Sequence, residues 1–146
     1  MTEDIKAFLN RIRDEKKELI HLRLHKEDVR LSLLPGAIQY DKDRVDVSPD
    51  DPMLRMIQKL EKVEEKEAEN EEKLLADIEL ANRIIATMPT PEHRTLLRLR
   101  YIDGLRPMEW REIADAMNYS EDHTKGKLHG RAIAEARIAQ QKIEHA

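Results

Sequence analysis

The chain of 146 residues contains no cysteine. That removes disulfides, thiolate metal sites and cysteine nucleophiles. Aromatic residues make up 3% of it: Phe8, Tyr40, Tyr101, Trp110 and Tyr119. So small a supply argues against a β-sandwich, whose core draws on aromatic and β-branched side chains. Glycine is scarce as well, at four residues, while 38% of the chain is charged. Long solvated helices fit that balance. No apolar run approaches the roughly 18 residues that a membrane-spanning helix needs. The opening Met1-Thr2-Glu3-Asp4 is acidic and lacks an apolar signal core, which makes the cytoplasm the expected compartment.

Catalytic signatures are missing too. There is no Ser/His/Asp arrangement, no glycine-rich phosphate cradle and no zinc-hydrolase spacing. Glu64 and Glu65 pair on a helix with no sign of a pocket. His21 and His25 share a helical face at the i, i+4 spacing of two zinc ligands, but only Glu18 and Asp28 lie nearby to complete a set. A solvated surface is the simpler reading. The expectation is a protein that is not an enzyme and has neither metal nor cofactor.

The net charge of −4 is unevenly spread. Residues 1–90 hold 16 Lys and Arg against 21 Asp and Glu, whereas residues 91–146 hold 10 against 9. Like charge repels phosphate, so the first part is a poor wrapper for nucleic acid. The second part is nearly balanced, and charge alone does not make it a nucleic-acid binder.

What is present is helical periodicity. From about 2 to 34, Ile5, Phe8, Leu9, Ile12, Leu19, Leu22, Val29 and Leu33 recur at steps of three and four, with Lys16 and Lys26 interrupting. Thr2 suits the cap, and Pro35-Gly36 ends the helix. Residues 35–52 form a connector, where three prolines and five aspartates prevent a through-running helix. Val45 and Val47 alternate there with charge and allow one short extended stretch. A second helix begins at Pro52, capped by Asp51. Its stripe runs through Met53, Met56, Leu60, Val63, Leu74, Ala81, Ile84 and Met88. The middle is polar at Glu67 and Asn70, and seven Glu and three Lys fall between 61 and 73. A solvated coiled-coil face accounts for this. Neither stripe is wide enough for a globular core. The expectation is an antiparallel hairpin over 1–88, completed as a four-helix bundle by a second copy in a homodimer.

Residues 89–146 read as a separate three-helix domain. Thr90 caps a helix whose first position is Pro91, and Asp103-Gly104 ends it. Leu96, Leu97, Leu99, Tyr101 and Ile102 are its apolar residues, with Arg94, Arg98 and Arg100 on another side. A short helix follows over about 107–117, with Ile113, Ala114 and Met117 on one face. Trp110 is read as a packing anchor between these two helices. Asn118-Tyr119-Ser120 makes a tight turn through a left-handed Asn. Ser120 then caps a last helix running to about Ile143. Two amphipathic helices joined by a three-residue turn are a helix-turn-helix signature.

The second helix of such a motif fits the DNA major groove. With Thr124, Leu128 and Ala132 inward, Glu121, Asp122, Lys125 and His129 face outward, and His123 sits at the edge. These five are the candidate base-reading residues, since carboxylates accept from cytosine, Lys donates to guanine, and His does either. Arg106, Arg111, Ser120, Lys127 and Arg131 are the candidate phosphate contacts. Gly126 and Gly130, four apart, reflect either simple tolerance or close approach to phosphate or a neighbouring helix.

Leu-Leu-Arg-Leu-Arg-Tyr-Ile-Asp-Gly at 96–104, Trp-Arg-Glu-Ile-Ala-Asp-Ala-Met at 110–117, Tyr-Ser at 119–120 and Leu-His-Gly-Arg-Ala-Ile at 128–133 resemble the C-terminal, −35-reading domain of sigma-70-type factors. The chain more closely resembles small phage and prophage proteins grouped with ArpU- and RinA-type late transcriptional regulators. Tyr40-Asp-Lys-Asp-Arg-Val-Asp-Val-Ser-Pro49 is also similar to that family, so the likeness covers roughly residues 35–135. It implies a regulator on promoter double-stranded DNA, with RNA polymerase core as a further partner and no independent promoter melting. Two departures stand out. Five residues separate Gly104 from Trp110, more than the family pattern has. One extra residue falls within 124–127, which in an unbroken α-helix turns later positions by about 100°. Two other readings follow from the same residues. One is a module that binds RNA polymerase or sigma without specific DNA contact, which the acidic Glu121 and Asp122 favour. The other is a small-terminase-like packaging subunit, against which the C-terminal position of the motif counts.

Overall fold

A computed structural model describes residues 3–33 and 51–145. Among these residues every regular element is helical and there is no strand. In chain order the helices are α1 (Ile5–Ser32), α2 (Pro52–Ala86), α3 (Pro91–Leu97), α4 (Trp110–Met117), α5 (Glu121–His123) and α6 (His129–Glu144). A wider π-type turn, Arg98–Ile102, extends α3, and another, Thr124–Leu128, joins α5 to α6. The expected all-α class and the pair of long N-terminal helices are present. Thr2, Pro35-Gly36 and most of the connector, including Val45 and Val47, lie outside the described residues.

Helix starts follow local chemistry. Asp51 Oδ1 accepts from the backbone N–H of Met53 at 3.0 Å, and its carbonyl accepts from Arg55. This satisfies N–H groups that have no partner inside the helix, and Pro52 follows as first residue with no N–H to satisfy. α1 begins at Ile5, where the Asp4 carbonyl accepts from Phe8 at 2.9 Å. α3 departs from the sequence reading. Thr90 occupies the cap position but its hydroxyl caps nothing. Instead the Thr90 hydroxyl and backbone N–H both donate to Glu135 of α6, each at 2.8 Å, and His93 Nδ1 lies 2.7 Å from the same carboxylate. Burial pushes the Glu135 pKa up, and these hydrogen bonds together hold it below its ordinary value.

The chain falls into two compact units, divided between residues 17 and 18 and again between 72 and 73. In the unit spanning 18–72, α1 and α2 pair antiparallel. Lys26 meets Glu67 at 2.9 Å, and Arg23 lies 3.9 Å from Glu71. The polar residues that break the two stripes, Lys26 and Glu67, are therefore partners. Leu19, Val29 and Val63 are buried in this unit, while Leu24, Leu31, Leu54 and Ile57 remain exposed.

The other unit joins residues 1–17 to 73–146. Its fully buried side chains come from nearly every element: Ile5, Leu9 and Ile12 of α1, Ile84 and Ile85 of α2, Leu96 and Leu97 of α3, and Ile113 of α4. Each such side chain contributes about 1.5–3 kcal/mol by leaving water. Arg11 bridges to Asp77 at 2.8 Å, Asp4 pairs with Arg137 of α6 at 2.9 Å, and the Gln140 amide donates to the Glu3 carbonyl. The compact division thus differs from a boundary between 88 and 89. The first turns of α1 and the last turns of α2 supply apolar faces that the short C-terminal helices bury.

Lys16 explains one interruption of the α1 stripe. It is 4% exposed, and its ammonium donates to the carbonyls of Ile102 and, at 3.1 Å, Gly104. The Ile102 carbonyl ends the wide turn after α3, where the helix offers no further donor, and the Gly104 carbonyl lies just beyond it. Burial lowers the Lys16 pKa, opposed by the charge of Asp103.

Candidate nucleic-acid interface

α4 and α5 meet through a three-residue turn. Asn118 caps α4 in the left-handed region at φ 61°, ψ 41°, and is the one non-glycine residue among those described with positive φ. Its short polar side chain makes that conformation tolerable, and the chain reverses there. Ser120 Oγ then accepts from the backbone N–H of His123 at 3.1 Å, as a cap should. Tyr119 packs against His123, ring centroids 4.8 Å apart, and its hydroxyl donates to Glu92.

The stretch after Ser120 is a helix with a wide turn inside it. His129 N–H bonds to the Thr124 carbonyl, five residues back. Such a turn takes up one residue more than an α-turn. It also changes which side chains point inward. Thr124, Leu128 and Ala132 are buried, as their spacing predicts. Because Thr124 and His129 now lie one above the other, His129 turns inward with them.

His129 is therefore corrected from the base-reading set. It is 9% exposed, its Nε2 lies 2.7 Å from the Tyr101 hydroxyl, and its ring meets Trp110 edge-on at 4.8 Å. Burial, with the positive charges of Lys6 and Arg100, lowers its pKa to about 4. A neutral, enclosed imidazole is a core group. Trp110, half-buried, also has the Arg100 guanidinium over its ring, 4.2 Å from the centroid. The expected anchor role is thus shared among Trp110, His129 and Arg100.

Glu121, Asp122 and Lys125 are exposed, and His123 is half-buried against Tyr119. Among the candidate phosphate contacts, Arg111, Lys127 and Arg131 are exposed. Arg106 is exposed too and pairs loosely with Glu112 at 3.3 Å. Ser120 has its side-chain oxygen engaged in the cap. A Cβ at Gly126 or Gly130 would meet nothing within 4 Å, so no packing against the described residues requires glycine at either. From 106 to 131 five basic residues face five acidic ones, so selectivity there must come from position rather than bulk charge. Arg94 donates to the Met88 carbonyl and Arg100, through Nη1, to that of Met108.

Among the described residues no group of three or more His, Asp or Glu is placed to hold a metal ion, His21 and His25 included. No described helix is long and apolar enough to cross a membrane. No family model, curated protein or solved structure matches the chain.

Proposed function

We propose that the protein is a phage-type transcriptional regulator that binds promoter DNA through the α4–turn–α5 motif. The observation that carries the reading is the continuous outward face of Glu121, Asp122 and Lys125, held by a left-handed Asn118 and a Ser120 cap, with Lys127 and Arg131 beyond it. This is the arrangement in which one helix enters the major groove while flanking cations meet phosphates. The likeness to sigma C-terminal domains and to ArpU- and RinA-type regulators points the same way. The reading makes the protein a homodimer, and the exposed Leu24, Leu31, Leu54 and Ile57 support it: a two-helix layer leaves them for a second pair to cover. Two heads then engage two half-sites.

Selection from a random duplex pool tests this, followed by titration of the selected site at two salt concentrations. Lys125→Ala should remove about 1–3 kcal/mol of discrimination at one position. Arg131→Ala should weaken all sequences alike and lower the salt slope by about one. Uniform weak binding, or none, would overturn specific recognition.

A second reading rests on the acidic start of α5. Glu121 and Asp122 are exposed and repel phosphate, which suits a protein surface on RNA polymerase or sigma. Capture of purified polymerase by a protein that selects no duplex would favour it.

A further inference from the structure

Away from the α4–α5 face, one cluster has too few anions. Arg13 of α1 and Arg100 in the wide turn after α3 share a single carboxylate, Glu109, just before α4. Arg13 Nη2 lies 3.1 Å from Glu109 Oε1, and Arg100 Nη1 lies 4.0 Å from Oε2. The two arginine side chains are each 11% exposed, whereas that of Glu109 is 65% exposed. Arg100 also donates to the Met108 carbonyl at 3.0 Å, yet the Nε groups of both Arg13 and Arg100 are buried without a partner. Two mostly enclosed cations are thus balanced by one carboxylate that faces water.

That arrangement is electrostatically unfinished. Like charges in a poorly solvated setting raise each other's energy, and an anion between them lowers it. Burial depresses the Arg100 pKa and the neighbouring charge of Arg13 depresses it further, against the opposing pull of Tyr101 and Glu109. Glu109 is a weak tenant. It stands at the α4 cap position, φ −82° and ψ 157°, but its side chain caps no N–H of that eight-residue helix. It can swing away without loss to α4, leaving two guanidinium forks beside the uncapped positive end of the helix.

We infer that Arg13 and Arg100 form a phosphate-binding site in which a tetrahedral oxyanion takes the place held by the Glu109 carboxylate. Neither arginine belongs to the surface read from the sequence, and the site does not depend on the nucleic-acid reading. Inorganic phosphate and a phosphodiester of duplex DNA present the same chemistry to it.

Trp110 is the chain's one tryptophan and lies beneath Arg100, so its emission reports the site directly. The full chain is titrated with potassium phosphate, chloride holding ionic strength constant. A saturable change in emission is expected. Glu109→Gln should bind about fivefold more tightly, the scale of losing one exposed competing ion pair. Arg13→Gln should abolish the response, with far-UV circular dichroism confirming that the helices persist. The decisive variant is Glu109→Gln, whose exposed side chain supports no cap. No saturable response in it, or an equal response to chloride, overturns the site. The source is separated with duplex DNA. A salt slope lowered by about one in Arg13→Gln assigns a phosphodiester. An unchanged slope beside positive phosphate binding assigns free phosphate. Wild-type protein that binds phosphate but no duplex sinks the nucleic-acid reading and leaves this site standing.

Discussion

At the scale of single residues, the interior depends on a few polar groups with fixed partners. His129 is enclosed by Tyr101 and Trp110, and its pKa is lowered to about 4 by burial first and by nearby cations second. An unfolded chain protonates the same imidazole near 6.5. Between those values the unfolded state binds the extra proton, so stability is full above pH 6.5 and falls as the pH drops towards 4. The loss amounts to about 3 kcal/mol by pH 4. Urea midpoints between pH 7 and 4.5 should show this decline, and His129→Gln should flatten it. A wild-type profile as flat as the variant's would mean that His129 is not held neutral. Lys16 is the counterpart with a retained charge. Its burial is tolerated because its ammonium meets the carbonyls of Ile102 and Gly104, at and just beyond the end of the turn after α3.

At the scale of elements, the segment from α4 to α6 combines strong local signals with one irregular turn. The Ser120 cap and the left-handed Asn118 set where α4 stops and α5 starts. The wide turn at Thr124–Leu128 then carries Lys125, Gly126 and Lys127 on its exposed side. Gly126 loses conformational freedom there without a packing reason, since a methyl group would meet open space. Gly126→Ala should therefore stabilise the protein by about 0.5–1 kcal/mol, while Ser120→Ala should cost about 1 kcal/mol. Thermal unfolding of the two variants beside wild type checks both signs. A destabilised Gly126→Ala would show that this turn needs glycine for a contact made only with a partner.

At the scale of the whole molecule, the two compact units have unequal means of hiding apolar surface. The unit containing the C-terminal helices draws core residues from α1, α2, α3, α4 and α6. The other has parts of α1 and α2 alone, and Leu24 in it is 63% exposed. A homodimer is expected on that ground. Sedimentation velocity should give twice the chain mass, and Leu24→Glu combined with Leu54→Glu should give single chains with unchanged helical content. A wild type that sediments as a single chain at tens of micromolar would remove the bundle, and with it the two-half-site geometry.

Much of this was decided locally. The scarcity of aromatics and glycine, the three-and-four stripes, Asp51-Pro52 and Asn118-Tyr119-Ser120 specified helices and their ends, because caps and periodicity act within a few residues. Spacing likewise identified Thr124, Leu128 and Ala132 as inward, and Glu121, Asp122 and Lys125 as outward. Other features depended on residues far apart in the chain. Lys16 against Gly104, Glu135 against Thr90, and Arg13 beside Arg100 are meetings of distant segments. Periodicity misplaces His129 because it assumes a uniform helix, and only the folded chain shows the wide turn at Thr124–Leu128 with the ring inside. Composition and local hydrogen bonding determined that the chain is helical and where helices begin. Tertiary packing decided which charges are enclosed, because desolvation depends on neighbours that no local pattern records.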